Sequence, residues 1–155
     1  MTKTTVPIEA IHAHITEHLP GVIPIDAWGE RSYFYNPGAM LKRGTYFATI
    51  KQKDGENDKS SHLDREGVWR LNIGLQKATF IQLFGSPPTR PAKGCSVEGP
   101  WDFTAQDTLM PHPVYGWMGW VAVVCPSADT WETCIGLLQD AHARAEQTFL
   151  KRTKI

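Results

Sequence analysis

Between Trp69 and Ile73 the chain alternates strictly: Trp69, Leu71 and Ile73 are apolar, Arg70 and Asn72 are not. A period of two marks a strand with one face on a core. It commits the chain to a sheet whose other face must accommodate a guanidinium and a carboxamide side by side. Two environments meet that demand. In one, Arg70 lies on a solvent face and Asp64, within Leu63-Asp64-Arg65, caps the turn before the strand. In the other, Arg70 and Asn72 line a concave surface that reads an anion, a carboxylate or a partner's backbone, and Asp64 accepts from the guanidinium.

The rest of the chain supplies neighbours for that strand. Ile8, Ile11, Ile15 and Leu19 form one stripe, predicting a helix that opens near Val6-Pro7, is capped by Thr5 and stops at Leu19-Pro20-Gly21. Val22 to Ala27 reads as extended, and the aromatic run Tyr33-Phe34-Tyr35 pairs with Thr45 to Ile50 around Pro37-Gly38. Lys51 to Ser61 carries both signs of charge and a glycine, the composition of an exposed, mobile loop. Gln76 to Phe84 has helical spacing and is ended by Gly85 and Pro87-Pro88, while the proline- and glycine-rich Ser86 to Pro100 is an irregular crossing. Trp117 to Val124 reads as a strand buried on both faces. Ser127 then caps a last helix whose buried stripe is Trp131, Ile135, Leu138, His142, Ala145 and Phe149.

With 155 residues the chain suffices for a single domain, 1–155, with a core that needs no staples. Sixteen basic side chains balance sixteen acidic ones, so there is no overall field for a polyanion and nucleic acid is an unfavoured partner. The N-terminus has no apolar leader segment and no apolar run is long enough for a membrane span, which points to a cytoplasmic protein without membrane contact. Cys95, Cys125 and Cys134 are widely spaced and predict reduced thiols, with Cys134 packed rather than nucleophilic. His14 and His18, four apart on a helix, lack third and fourth ligands, and the acidic loop lacks the calcium-loop pattern; neither metal nor cofactor is expected.

Among residues able to carry chemistry, His112 stands between Pro111 and Pro113, which hold it in an extended backbone at a cleft edge where it is the candidate acid or base. His142 lies on the apolar stripe, as a packed imidazole with one satisfied nitrogen or as a pocket wall. Asp64 and Glu30 are the possible orienting carboxylates, Asp64 being the second catalytic candidate. The candidate ligand-binding set is Arg70, Asn72, His112, His142, Tyr115 and Glu30. No nucleophile elbow, phosphate loop, zinc helix or dinucleotide fingerprint is present.

The series Trp28-Gly29-Glu30, Phe47-Ala48-Thr49-Ile50, Leu63-Asp64-Arg65, Arg70 to Gly74, Pro111-His112-Pro113-Val114-Tyr115, Trp120, Leu138 and Ala141-His142 resembles an uncharacterised bacterial family classed as a domain of unknown function. More distantly, the order of Trp-Gly-Glu, a Phe-Ala strand, a strand leading into a helix and a Trp-bearing strand before a last helix is similar to the MmcQ/YjbR-like group. That likeness implies an α+β fold, two-layered, with an antiparallel sheet of about five strands and helices on one face, in agreement with the element order. Some YjbR-like proteins are described as DNA-binding through a wing with basic residues. Here Pro113 to Trp120 contains no Lys or Arg, which removes the phosphate contacts.

These features predict first a small domain that binds a small molecule or a protein partner, as monomer or homodimer. The alternative is a metal-independent enzyme on a small anionic substrate, with His112 as acid or base and Arg70 as clamp. Nucleic-acid binding by YjbR-like analogy comes third.

Overall fold

The alternating segment becomes strand β4 (Arg70–Gly74). The structure, a computed structural model describing residues 4–154, sets that strand inside one open antiparallel sheet. Met1 to Lys3, on which the expected absence of a leader partly rests, and Ile155 lie outside the described residues. The chain runs α1 (Ile8–His18), β1 (Val22–Ala27), β2 (Glu30–Tyr35), β3 (Thr45–Lys51), β4, α2 (Lys77–Phe84), β5 (Met110–Pro111), β6 (Trp120–Val124) and α3 (Ala128–Thr153). The spatial order β1-β2-β3-β4-β6-β5 keeps β1 to β4 as a meander and inserts β6 between β4 and β5. The architecture is α+β with six strands rather than about five. The sixth is β5, a two-residue strand too short to leave a periodic signal.

Register separates the sheet into two chemically distinct faces. Ile50, Leu71 and Val123 stand abreast, as do Ala48, Ile73 and Val121. These six are buried in one apolar cluster with Ile11 and Ile15 of α1 and Cys134, Leu138, Ala141 and Ala145 of α3. Burying each Ile or Leu stabilises the fold by about 2 kcal/mol. On the opposite face Lys51, Arg70 and Val124 stand abreast, then Thr49, Asn72 and Ala122, then Gly74 and Trp120. Gly74 is required there, because a Cβ would lie 2.5 Å from the Trp120 indole and 2.9 Å from the Arg144 guanidinium.

A bulge shapes the second face. Tyr33 pairs with Ala48 but Phe34 with Tyr46, leaving Phe47 as the extra residue. Phe47 therefore stays in the core with its ring edge-on to His142 at 5.6 Å, while Tyr46 turns onto the polar side, 5.1 Å from the Trp120 ring.

Several local expectations change. Helix α1 begins after Pro7 without a side-chain cap; Thr5 instead forms a bridge with Ser127, because the N-terminal segment runs beside the start of α3. Ser127 holds the N-cap position of α3, yet its hydroxyl makes no cap bond, and its N–H donates to Asp107 at 2.7 Å. Strand β6 starts at Trp120, not Trp117, because Gly116–Met118 coil into a 3₁₀ turn closed by Gly119 at φ 92°. Cys134 takes the buried place expected for Ile135, and its thiol is pushed up to about 12 by burial. Among the described residues no helix is long and apolar enough to cross a membrane.

Candidate functional site

Arg70 is the largest fully buried side chain in the protein, at 1% exposure, so the solvent-face reading fails. A buried guanidinium must have its donors satisfied, and the segment between β3 and β4 does this. That segment is not a loose loop. The Asp54 carboxylate accepts the Leu63 N–H at 2.8 Å, the Asp64 carboxylate accepts the Asp54 N–H at 3.0 Å, and Gly55 and Asp58 exchange backbone bonds. So folded, it lays Asp58 and Ser61 over the polar face. Arg70 Nη1 donates to Asp58 Oδ1 and to Ser61 Oγ, each at 3.0 Å; Nη2 donates to Asp58 Oδ2; and Nε donates to Asn72 Oδ1 at 2.7 Å. Asn72 passes the chain on, donating to Thr49 Oγ1 at 2.9 Å.

The anion that Arg70 clamps is therefore the protein's own Asp58. Asp64, the carboxylate expected to receive the guanidinium, is exposed and engaged with the Asp54 backbone. Burial works to raise the Asp58 pKa, but the Arg70 hydrogen bonds and charge, with His112 and Lys51 nearby, outweigh it and hold the carboxyl below its ordinary value.

His112 reaches the same cluster from the opposite side. Its N–H donates to Trp120 O at 2.9 Å and its carbonyl accepts from Gly116 at 2.8 Å, which fixes the backbone between the two prolines. Nδ1 accepts two backbone N–H groups, Val114 and Tyr115, both at 3.0 Å. The neutral ring carries one N–H, so its tautomer decides whether Nδ1 accepts these two bonds or Nε2 accepts from Arg70. Nε2 lies 3.2 Å from Arg70 Nη2, another donor, and 3.8 Å from Asp58 Oδ2. Burial first, then the Arg70 charge, lowers the His112 pKa well below that of a free histidine, against the pull of Asp58, so the imidazole is neutral at physiological pH.

Above this cluster opens a cleft of about 280 Å³, lined by Glu30, Lys51, Asp58, Tyr46, Tyr115 and Trp120 among others, with His112 in its wall. Lys51 is only 8% exposed, and its closest charge partner is the Glu30 carboxylate at 3.8 Å. Among the described residues Nζ thus finds no ion-pair oxygen at hydrogen-bond distance. Tyr115 stacks obliquely on His112 with centroids 5.0 Å apart and is 43% exposed at the cleft mouth. Of the predicted set, Glu30, His112 and Tyr115 line this cavity, while Arg70 and Asn72 are buried beneath it and reach it only through Asp58 and Thr49. His142 is not among them. It belongs to the core side, its Nε2 2.7 Å from Pro20 O and its ring edge-on to Tyr35 and Phe47.

The sequence reading missed Lys51, Asp58, Ser61 and Thr49. Lys51 and Thr49 were within reach, since both face the same way as their β4 neighbours Arg70 and Asn72 once β3 is paired with β4. Nothing in the loop composition distinguished Asp58 from Asp54 or Asp64.

The model of DUF6194, a family of unknown function, matches residues 3–154. The chain belongs to that family. No curated protein and no solved structure matched it. In this DUF6194 domain, no three His, Cys, Asp or Glu side chains among the described residues converge as metal ligands; His14 and His18 stack on each other at 4.8 Å. The cleft instead offers an ammonium beside a neutral imidazole, with three aromatic rings around them. Such a set can hold an acceptor oxygen and a flat apolar body.

Proposed function

We propose that this domain binds a small molecule in the cleft over the polar face of its sheet. The observation that carries the reading is the nearly buried Lys51 ammonium, left 3.8 Å from its nearest carboxylate. A cation so largely shielded from water, with no carboxylate at hydrogen-bond distance among the described residues, gains when an acceptor arrives. His112 adds a neutral imidazole to the cleft wall, with its Nε2 3.2 Å from the Arg70 guanidinium. A carboxylate or carbonyl oxygen satisfies the Lys51 ammonium, and Tyr46, Tyr115 and Trp120 pack a ring attached to it.

Arg70 and Asn72 act in this reading as the floor that positions Asp58 and His112, while Glu30 orients Lys51. An enzymatic role remains open to His112 as a neutral donor that polarises a carbonyl; a base role would require Nδ1 to surrender two backbone bonds. The YjbR-like kinship and a DNA-binding role have less support, since the Pro113 to Trp120 segment is uncharged and packs beside the cleft. Three free thiols, two of them buried, fit a reducing cytoplasmic compartment.

A fluorescence and thermal-shift titration with a panel of aromatic monocarboxylates and their amides tests the proposal. Wild-type protein is expected to bind at least one of them with Kd below about 1 mM, and Lys51→Met to weaken that binding at least tenfold. Absence of binding across the panel, or unaltered binding by Lys51→Met, overturns it.

A further inference from the structure

A second cavity of about 290 Å³ lies against the first, and Asn57, Val114 and Tyr115 line both. The two differ in charge. The first cleft mixes Lys51 with Glu30 and Asp58, and Arg70 beneath it, so its charges balance. The lining of the second contains Arg90 and Lys93 and no carboxylate. Neither cation is ion-paired among the described residues. Arg90 is held by its face, its guanidinium carbon 4.8 Å from the centre of the Trp117 ring. A stacked guanidinium is fixed in orientation while its edge N–H groups stay available to a planar or tetrahedral anion. The turn bearing Lys93 is closed by a Cys95 N–H to Ala92 O bond of 2.9 Å, with Gly94 in the left-handed region at φ 81°.

We propose that this second cavity is an anion subsite, and that the ligand of the domain is a ring compound with an acceptor group on Lys51 and an anionic group, phosphate or carboxylate, on Arg90 and Lys93. This rests on the cleft reading above for the ring and its first acceptor, whereas the anion subsite stands on its own residues. The shared Tyr115 wall makes the two cavities one elongated site. It also explains why an uncharged stretch, Val114 to Trp117, separates two cationic ends.

The test is an isothermal titration series at low salt with benzoate, 4-phosphonooxybenzoate, terephthalate and inorganic phosphate. Four proteins are compared: wild type, Lys51→Met, the double variant Arg90→Gln/Lys93→Gln, and Lys42→Gln/Arg43→Gln as an exposed control of equal charge change. The expected result is at least tenfold tighter binding of a two-ended probe than of benzoate, lost in the Arg90/Lys93 variant, which still binds benzoate as wild type does. The stronger of phosphonooxybenzoate and terephthalate tells phosphate from carboxylate. Equal affinities for benzoate and both two-ended probes, or a preference kept by the double variant or lost equally in the control, overturns the subsite. Should benzoate and the rest of the aromatic panel fail to bind wild type, the cleft reading falls alone if inorganic phosphate still binds in an Arg90- and Lys93-dependent manner. If phosphate fails as well, both fall.

Discussion

Arg70, Asp58 and His112 form a cluster in which each member is costly without the others. Asp58→Asn removes the charge that compensates a guanidinium of 1% exposure. Breaking a buried pair from one side typically costs about 3–5 kcal/mol. We expect a loss of that order in urea unfolding at pH 7, and a smaller loss when Arg70→Met is combined with Asp58→Asn than the two single losses summed. The pH response has a definite sign. The folded pKa of Asp58 lies below its ordinary value, so its contribution is present above the unfolded carboxyl pKa near 4 and is lost as pH falls through the folded value. His112 is also depressed, far below 6.5; it favours the folded state above that pH, and the advantage drains away as pH falls below it, where only the unfolded chain takes the proton. Stability measured from pH 7 down to pH 5 should decline less steeply in His112→Asn, whose Oδ1 can still accept from the Val114 and Tyr115 amides.

Helix α2 shows how one element borrows stability from another. Gln76 at its N-cap supplies no side-chain bond to the helix; the Asp140 carboxylate of α3 does so instead, accepting the Gln76 N–H at 2.9 Å and the Thr79 hydroxyl at 2.7 Å. A helix of eight residues is marginal alone. Asp140→Ala should cost about 1–2 kcal/mol and speed hydrogen exchange of the α2 amides more than those of α1. Elements of this kind divide into the legible and the illegible. The stripes of α1 and α3, the Gly85 stop of α2 and the alternation of β4 are periodic or punctuated, so side-chain pattern alone reveals them. Trp117 to Val124 is apolar throughout and has no period, which hid the 3₁₀ turn that precedes β6. The site divides along the same line. That Arg70 and Asn72 share one face of β4 followed from the alternation, whereas their place beneath the cleft that His112 and Tyr115 line, and the choice of Asp58 over Asp64, depended on a fold of the segment between β3 and β4 that only its own hydrogen bonds define. His142 was ambiguous because an imidazole on an apolar stripe suits a core or a pocket equally, and here the Pro20 carbonyl satisfies it inside.

Across the whole molecule, contacts are unevenly distributed along the chain. β1, β2 and β3 pair with their immediate successors, whereas β4 must wait for β6, which begins only at Trp120. Closing so long a connection costs entropy before any contact compensates it. Folding is therefore expected to begin in the meander: Ile50→Val in β3 should give a higher φ-value than Val123→Ala in β6 when both are measured by stopped-flow chevrons. During synthesis the same order leaves β4 with one hydrogen-bonding edge bare while roughly forty-five further residues emerge, at a few to some twenty per second. A bare edge next to Leu71 and Ile73 invites pairing with another nascent copy. Arg70 stands at the head of that edge, and until β6 arrives its charge, and the hydration it demands, make the edge a poor template. Arg70→Met, combined with Asp58→Asn to leave no unpaired charge, is accordingly expected to raise the aggregated fraction during cell-free synthesis, read by sedimentation.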